Sequence, residues 1–429
     1  MATLSGGNDL GDLDAEALAP GQDHYIVAGS GNLNINAGLQ DNTVFGGSGS
    51  IHVRAGDGQN EIHLGSGQLQ VQLGNGHDVV VVGSGSTSIR AEDGNDRIIA
   101  GDGQAAITLG NGNDTVTLGN GSAVLVLGNG NDSVVAGSGQ HQLTLGQGNN
   151  QAWLGDGSAT IQAGNGHDTI HLGSGQALLE LGEGADSITL GDGSATIIAG
   201  SGADTITAGN GQHMLTLGDG DDSITLGSGS HTIIAAGGHD VIHAGSGQLY
   251  FSGGTGSATV FAGDGSATEI GGSGNDELHA GNGQFLLQGG AGNDTLFGGG
   301  GQGTLAGGDD DDLLFGGSGS YRLAAGAGHD TLMAGSGNET LSSGSGETQF
   351  YFTSGSSYDI VTGFVAGKDM LYIQGGINGL AIHAPQDIAA HVSAGWNGAV
   401  ISLGQTTITL EGMNAADLLA HPDAYFRLF

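Results

Sequence analysis

Residues 110–136 read GNGNDTVTLGNGSAVLVLGNGNDSVVA and contain three nonapeptides in succession. The outer two carry NGND where the middle one carries NGSA, so the aspartate comes only in every second nonapeptide. In the same frame, residues 20–352 hold 37 nonapeptides without insertion or deletion, and the first position is glycine in 34 of them. A repeat this regular predicts a solenoid, in which each repeat packs against the next.

Each nonapeptide has the pattern of a glycine-rich turn followed by a short strand. The seventh and ninth positions are apolar, whereas the sixth and eighth are mostly Thr, Ser, Gln and His. Because side chains alternate along a strand, the apolar positions share a buried face. Glycine at the first and third positions suits turns whose backbone conformations disfavour a Cβ. Two strands back to back make one coil, so the pattern predicts an all-β fold, a parallel β-roll (β-solenoid) of about 18 coils of 18 residues.

The aspartates fall on one edge of the predicted roll. With 18 residues per coil, the fifth positions from 78 to 330 share that edge, and 13 of these 15 residues are Asp, the exceptions being Asn150 and Ala258. The intervening fifth positions, from Thr87 to Tyr321, contain no Asp. Stacked like charges repel each other unless a cation lies between them. Carboxylate and carbonyl oxygens in a turn favour a hard cation, calcium above all.

The segments GGSGNDELHAG from Gly271 and GGAGNDTLFGG from Gly289 resemble the nonapeptide GGxGxDxUx of the repeats-in-toxin (RTX) family. The resemblance covers residues 20–352 and implies a parallel β-roll whose turns bind Ca²⁺, with about a dozen ions in all. It implies that the ligands are the residues that we call the aspartate column: Asp78, Asp96, Asp114, Asp132, Asp168, Asp186, Asp204, Asp222, Asp240, Asp276, Asp294, Asp312 and Asp330.

Two features depart from the family pattern. The second edge of the roll reads GSGQ, GDGS or GNGS, so we expect it to be metal-free and closed by hydrogen bonds. The gaps in the column predict three blocks of sites, at 78–132, 168–240 and 276–330. In the first coils the equivalent positions are His24, Asn42 and Asn60, which predicts poor metal binding there.

The ends of the chain break the repeat. Residues 1–19 are expected to form an N-terminal cap, and residues 353–429 a small β-rich C-terminal cap with a short helix near residues 413–419, since open sheet edges need covering. The segment GAVISLGQTTITLEGMNAADLLAHPDAYFRLF, from Gly398, resembles the uncleaved tail of proteins exported by type I secretion. This resemblance implies the type I secretion machinery as a partner and a secreted, extracellular or cell-surface location. The first residues lack a basic and apolar signal peptide, which fits the same route.

The charge of the chain narrows the classes of partner. The formal net charge is −38, with only six Lys and Arg, so we expect no nucleic acid and no anionic membrane surface as partner. No run of about 18 apolar residues exists, which predicts no membrane insertion. Cysteine is absent, so disulfides cannot stabilise a secreted form.

We expect that the protein is not an enzyme, because it contains neither HExxH nor GxSxG and the repeats take up most of its length. Outward eighth positions should instead form an exposed apolar ladder, unless the C-terminal cap covers it. This predicted interaction surface consists of Phe261, Phe297, Phe315, Met333 and Tyr351.

These features favour a secreted, calcium-dependent structural protein that folds outside the cell. Its expected partner is itself, in a filament, surface layer or matrix. One alternative is an adhesin or other surface-binding rod, with ice binding disfavoured because Val135, Trp153 and His171 interrupt the threonine rows. Another is a non-catalytic accessory roll of a secreted enzyme.

Overall fold

The computed structural model describes residues 2–5, 11–355 and 357–429. Met1, residues 6–10 and Ser356, which fall in the predicted caps, therefore lie outside the described residues. The chain divides into two compact units, residues 1–215 and 216–429. In each unit short strands alternate between two sheets, and the strands of the repeat pair in parallel, so the prediction of an all-β parallel β-solenoid is confirmed.

The first unit contains two parallel sheets. Sheet one is formed by the strands that follow the aspartate-edge turns: Ala2–Ser5, His24–Val27, Asn42–Gly46, Glu61–Leu64, Val79–Val82, Arg97–Ala100, Thr115–Leu118, Ser133–Ala136, Gln151–Leu154, Thr169–Leu172, Ser187–Leu190 and Thr205–Ala208. Sheet two is formed by Asp12–Asp14, Gly31–Gly38, Gly49–Ala55, Gly67–Gln72, Gly85–Arg90, Gly103–Thr108, Ala123–Val126, Gln140–Thr144, Ser158–Gly164, Ala177–Leu181 and Ala195–Gly200. The strand Gly211–Leu217 crosses the unit boundary along the chain.

The second unit repeats this plan. Its sheet one contains Ser223–Leu226, His239–His243, Ser257–Phe261, Glu277–His279, Thr295–Phe297, Leu313–Phe315, His329–Met333, Glu347–Phe352, Met370–Ile373 and Phe426–Leu428. Its sheet two contains Gly229–Ile234, Gly247–Ser252, Ser266–Ser273, Gln284–Ala291, Gln302–Asp309, Ser320–Ala327, Thr340–Ser342, Ser357–Thr362, Thr406–Glu411, Gly398–Leu403 and Val392–Ala394.

The strands of the repeat pair with an offset of 18 residues, which places the apolar seventh positions in one line. Ile98 pairs with Val80 on one side and with Val116 on the other, and all three are fully buried. Burial of aliphatic side chains along both sheets therefore forms the core of each unit. One polar residue interrupts it, because Glu269 lies in register between Phe251 and Leu287 and is fully buried.

Glycine at the third position of the nonapeptide is required by the close stacking of the turns. Gly112 has a φ of 150°, and a Cβ placed on it would lie 1.6 Å from the carbonyl oxygen of Gly94 in the preceding coil. A side chain at such a position would collide with backbone, which has no other rotamer to adopt. Asp310 replaces this glycine in one coil and takes the left-handed conformation, with a φ of 75°.

The parallel sheets extend beyond the repeat at both ends. Ala2–Ser5 pairs with His24–Val27, and the helix Ala15–Leu18 begins at Asp14, whose Oδ1 accepts from the Ala17 N–H at 3.1 Å.

At the other end, Ser357–Thr362 pairs in parallel with Thr406–Glu411 and so continues sheet two past residue 352. The strands Gly398–Leu403 and Val392–Ala394 then add to it in antiparallel fashion. The C-terminal region also contains the helices Pro385–Ala389 and Ala415–Ala420 and the 3₁₀ turns Ile377–Gly379 and Pro422–Ala424. None of the helices in the described parts of the chain has the length and apolarity that a membrane span requires.

Candidate metal centre

The aspartate column is a continuous hydrogen-bonded stack in the first unit. The backbone N–H of each member donates to Oδ1 of the residue 18 positions later, as from Asp78 to Asp96 and from Asp96 to Asp114, at 2.7–3.0 Å throughout. Asn150 takes the place of one aspartate without breaking the stack. The structure therefore brings together the first-unit ligands predicted from the sequence: Asp78, Asp96, Asp114, Asp132, Asp168, Asp186 and Asp204.

The second unit contains the same arrangement. Asp222 donates to Asp240, and after the interruption at Ala258 the bonds run without a break to Asp330, at 2.7–3.1 Å. The members here are Asp222, Asp240, Asp276, Asp294, Asp312 and Asp330. Every aspartate of the column is at most 4% exposed, so its charge is removed from water.

The second carboxylate oxygen of most members lacks a partner. Oδ2 is buried and accepts no hydrogen bond in Asp78, Asp96, Asp114, Asp132, Asp168, Asp186, Asp276, Asp294, Asp312 and Asp330. A buried carboxylate oxygen without a donor is strongly unfavourable, since its lost hydration is not replaced. A row of such atoms on one edge fits an electropositive ligand.

The protonation of the column reflects the same burial. Burial raises the pKa of Asp96, Asp114, Asp240 and Asp294 to about 7, and the nearby carboxylates add to this effect. In Asp312, burial and then Asp294 and Asp330 raise the pKa to about 8. The metal-free column therefore competes for protons near neutral pH, because its charged form lacks compensation.

The asparagines show which backbone atoms would contact an ion. In Asn150, Nδ2 donates to the carbonyl oxygens of Gly148 at 3.2 Å and Ala163 at 3.4 Å. In Asn60, Nδ2 donates to Gly56 O at 3.0 Å and to Oδ1 of Asp78 at 2.9 Å. An amide N–H thus fills the place between turn carbonyls and carboxylate that an aspartate leaves without a positive group.

The three turns with a double glycine leave room beside the carboxylate. A Cβ added to Gly271, Gly289 or Gly307 would lie 2.1–2.2 Å from Oδ2 of Asp276, Asp294 or Asp312, respectively. The first glycine of the GGxGxD motif is therefore needed for space around the free oxygen, as well as for the turn.

The donor set fits calcium. Among residues 2–5, 11–355 and 357–429, no three His, Cys, Asp or Glu side chains converge as a metal site. Each step of the column offers carboxylate oxygens together with turn carbonyls, an all-oxygen set that hard cations prefer. A bound calcium ion would supply the positive charge that the stacked carboxylates lack.

The second edge is built differently in the first unit. Its turns are linked by backbone N–H groups that donate to side-chain oxygens one coil earlier, as from Asn120 to Asp102 at 2.7 Å and from Ser174 to Asp156 at 2.8 Å. The fifth positions carry apolar or neutral residues such as His141, whose Nε2 lies 3.0 Å from Gly137 O.

The predicted interaction surface is a stack of rings on the outer face of sheet one in the second unit. His243, Phe261, His279, Phe297 and Phe315 stack in order, with ring centroids 4.4–4.7 Å apart and interplanar angles of at most 21°. We call these five residues, with Met333 and Tyr351, which continue the row in register, the ring ladder.

The C-terminal segment contacts the end of the ring ladder. Tyr372 stacks on Tyr351 at 4.4 Å, and Phe429 packs edge-on against Tyr351 at 5.1 Å. Phe261, Phe297 and Phe315 remain partly exposed on the sheet.

Two features of the site were not found from the sequence. The closure of the column by the amides of Asn60 and Asn150 depends on which amide atom faces the turn, and the sequence contains no signal for this. Asp369 closes the aspartate edge in the second unit, since it accepts from Thr348 N at 3.0 Å, Ser343 Oγ at 2.8 Å and Val365 N at 2.8 Å. Only a count from Thr348 that allows an offset of 21 residues would have found it.

Comparison with known proteins agrees with this geometry. The model of the RTX calcium-binding nonapeptide repeat matches residues 73–105, 118–212, 216–248 and 270–349, through overlapping matches that cover more than half of the chain. No curated protein matches the sequence significantly. The matched repeats, the paired turns and the buried carboxylates together show a calcium-binding repeat protein, and the chain belongs to the RTX calcium-binding nonapeptide repeat family.

Proposed function

We propose that this protein is a secreted extracellular structural component that folds when it binds calcium and then self-associates into a filament, surface layer or matrix. The observation that carries the self-association is the ring ladder, whose stacked rings lie on an outer sheet face and stay partly exposed. Contiguous apolar surface of this kind is characteristic of interfaces. The partner that we propose is a second copy of the chain.

Calcium is the proposed trigger for folding. The metal-free column holds buried carboxylates that lack donors and repel one another, so the folded state is favoured when cations occupy it. Extracellular calcium modules bind at roughly 10⁻⁴–10⁻³ M, a concentration range typical outside cells. Export of the unfolded chain by type I secretion, through the C-terminal tail, fits this order of events, and the proposed role involves no catalysis.

The ladder can be tested by replacing its exposed rings. A triple variant, Phe261→Ser, Phe297→Ser and Phe315→Ser, should bind calcium and fold but remain dispersed in millimolar calcium, whereas the wild type assembles. Negative-stain electron microscopy and sedimentation velocity would follow assembly, and circular dichroism would follow folding. The matched control is Val135→Ser with Ile234→Ser, which removes apolar side chains that are 44% and 45% exposed elsewhere. Dispersed wild-type particles in calcium, or assembly of the triple variant, would contradict the proposal.

A further inference from the structure

A pair of carboxylates lies on the second edge of the second unit, outside the aspartate column. Glu339 takes the fifth position of the turn GSGNE, residues 335–339, where the opposite edge carries its aspartates. Its backbone N–H donates to Oδ1 of Asp359 at 3.0 Å, which is the bond that links successive members of the column. Glu339 is 2% exposed and Asp359 is 1% exposed. The pair thus reproduces one step of the column on the other edge.

The glutamate carboxylate has no hydrogen-bond partner. Both Oε1 and Oε2 of Glu339 are buried without a donor, while Oδ2 of Asp359 accepts from Ser357 Oγ at 2.9 Å. The turn leaves room beside the free oxygens, because a Cβ on Gly337 would lie 2.9 Å from Oε1. Burial, and then the neighbouring Asp359 carboxyl, raises the pKa of Glu339 to about 9. Two facing carboxyl groups in a dry site need a positive group between them.

We propose that Glu339 and Asp359 bind one divalent cation, calcium under extracellular conditions, on the second edge. The donors available are carboxylate oxygens, the Ser357 hydroxyl and turn carbonyls, an all-oxygen set. The repeat frame does not reveal this site, since the residue is Glu instead of Asp and its partner follows after 20 residues instead of 18. The last family match ends at residue 349, ten residues before Asp359.

The position of the pair gives the cation a structural task. Asp359 belongs to the strand Ser357–Thr362, which lies between Thr340–Ser342 of the last repeats and Thr406–Glu411 of the C-terminal region. An ion at this step would join the final repeat turn to the strand that starts the C-terminal region.

The test counts calcium ions on the full-length chain by native mass spectrometry in saturating calcium. Glu339→Gln and Asp359→Asn should each bind one ion fewer than the wild type. The double variant should also lose one ion and not two, because both residues serve the same ion. Asp294→Asn in the column is the positive control, and Glu347→Gln, whose side chain is 61% exposed, should leave the count unchanged.

An unchanged count in Glu339→Gln would overturn the proposal and indicate that a proton occupies the pair. Circular dichroism in calcium checks that each variant folds. If a variant does not fold, wild-type crystals soaked in terbium provide the second measurement, since anomalous density is expected beside Glu339 and its absence there would refute the site. The ion count per chain is independent of self-association, so this result and that for the ring ladder can fail separately.

Discussion

Replacing Asp294 by asparagine should stabilise the metal-free protein. Burial raises the pKa of Asp294 from 3.8 to about 7, with Asp276 and Asp310 contributing. At about 1.4 kcal/mol per pH unit, the ionised side chain costs the metal-free fold about 4 kcal/mol above pH 7. An asparagine carries no charge and can donate to turn carbonyls as Asn150 does. We therefore expect the free energy of unfolding at pH 8 in chelator to rise by about 2–4 kcal/mol.

Calcium should reduce or reverse this advantage. A ligand present at 100 times its Kd stabilises the folded state by about 2.7 kcal/mol per site, and Asp294→Asn loses one site. The difference between variant and wild type should therefore shift by about that amount between chelator and saturating calcium. Urea unfolding followed by circular dichroism, run in both conditions, measures the shift.

The converse substitution is the matched control. Asn150→Asp places a carboxylate where the natural amide closes the turn, so it should destabilise the chelated protein and add one calcium ion per chain. The reasoning is refuted if Asp294→Asn destabilises the protein in chelator, or if its effect is the same with and without calcium.

Three further outcomes are expected. In chelator the protein should be more stable to urea at pH 5 than at pH 8, because the raised pKa values of the column give stability that is present below about pH 4 and is lost as the pH rises through 6 to 8; equal stability at the two pH values would contradict this. Glu269→Leu should raise the free energy of unfolding at pH 8 by roughly 2 kcal/mol or more, since it removes a buried carboxyl whose two oxygens lack donors; a fall in stability would reveal an unrecognised partner. Gly289→Ala should weaken calcium binding in isothermal titration, because its Cβ would lie 2.1 Å from Oδ2 of Asp294, whereas Gly11→Ala, with no atom within 4 Å, should not.

The repeat made most of the fold predictable. A fixed period of nine residues with alternating polarity sets the strands, the buried face and the offset of 18, so Ile98 could be placed in the core from its position alone. The same offset placed Asp78 and Asp96 in one stack. These conclusions need only the periodicity, which is intact from residue 20 to residue 352.

Features outside the period were not predictable in this way. Asp359 pairs with Glu339 at an offset of 20, and Asp369 pairs with Thr348 at an offset of 21, because residues 353–369 no longer follow the frame. Such partners are fixed by the path of the chain in space. The division into two units also has no counterpart in the composition, since the repeats continue through residue 215 unchanged.

The alternation of turns determines how a chain of this kind can change in length. Because Asp96 bonds to Asp114 across 18 residues, duplication or loss of 18 residues would preserve every pairing in both sheets. An insertion of nine residues would move each later aspartate to the opposite edge and set its carboxylate above a neutral turn. The heritable unit of growth is therefore the full coil, and recombination between single nonapeptides would be eliminated by selection.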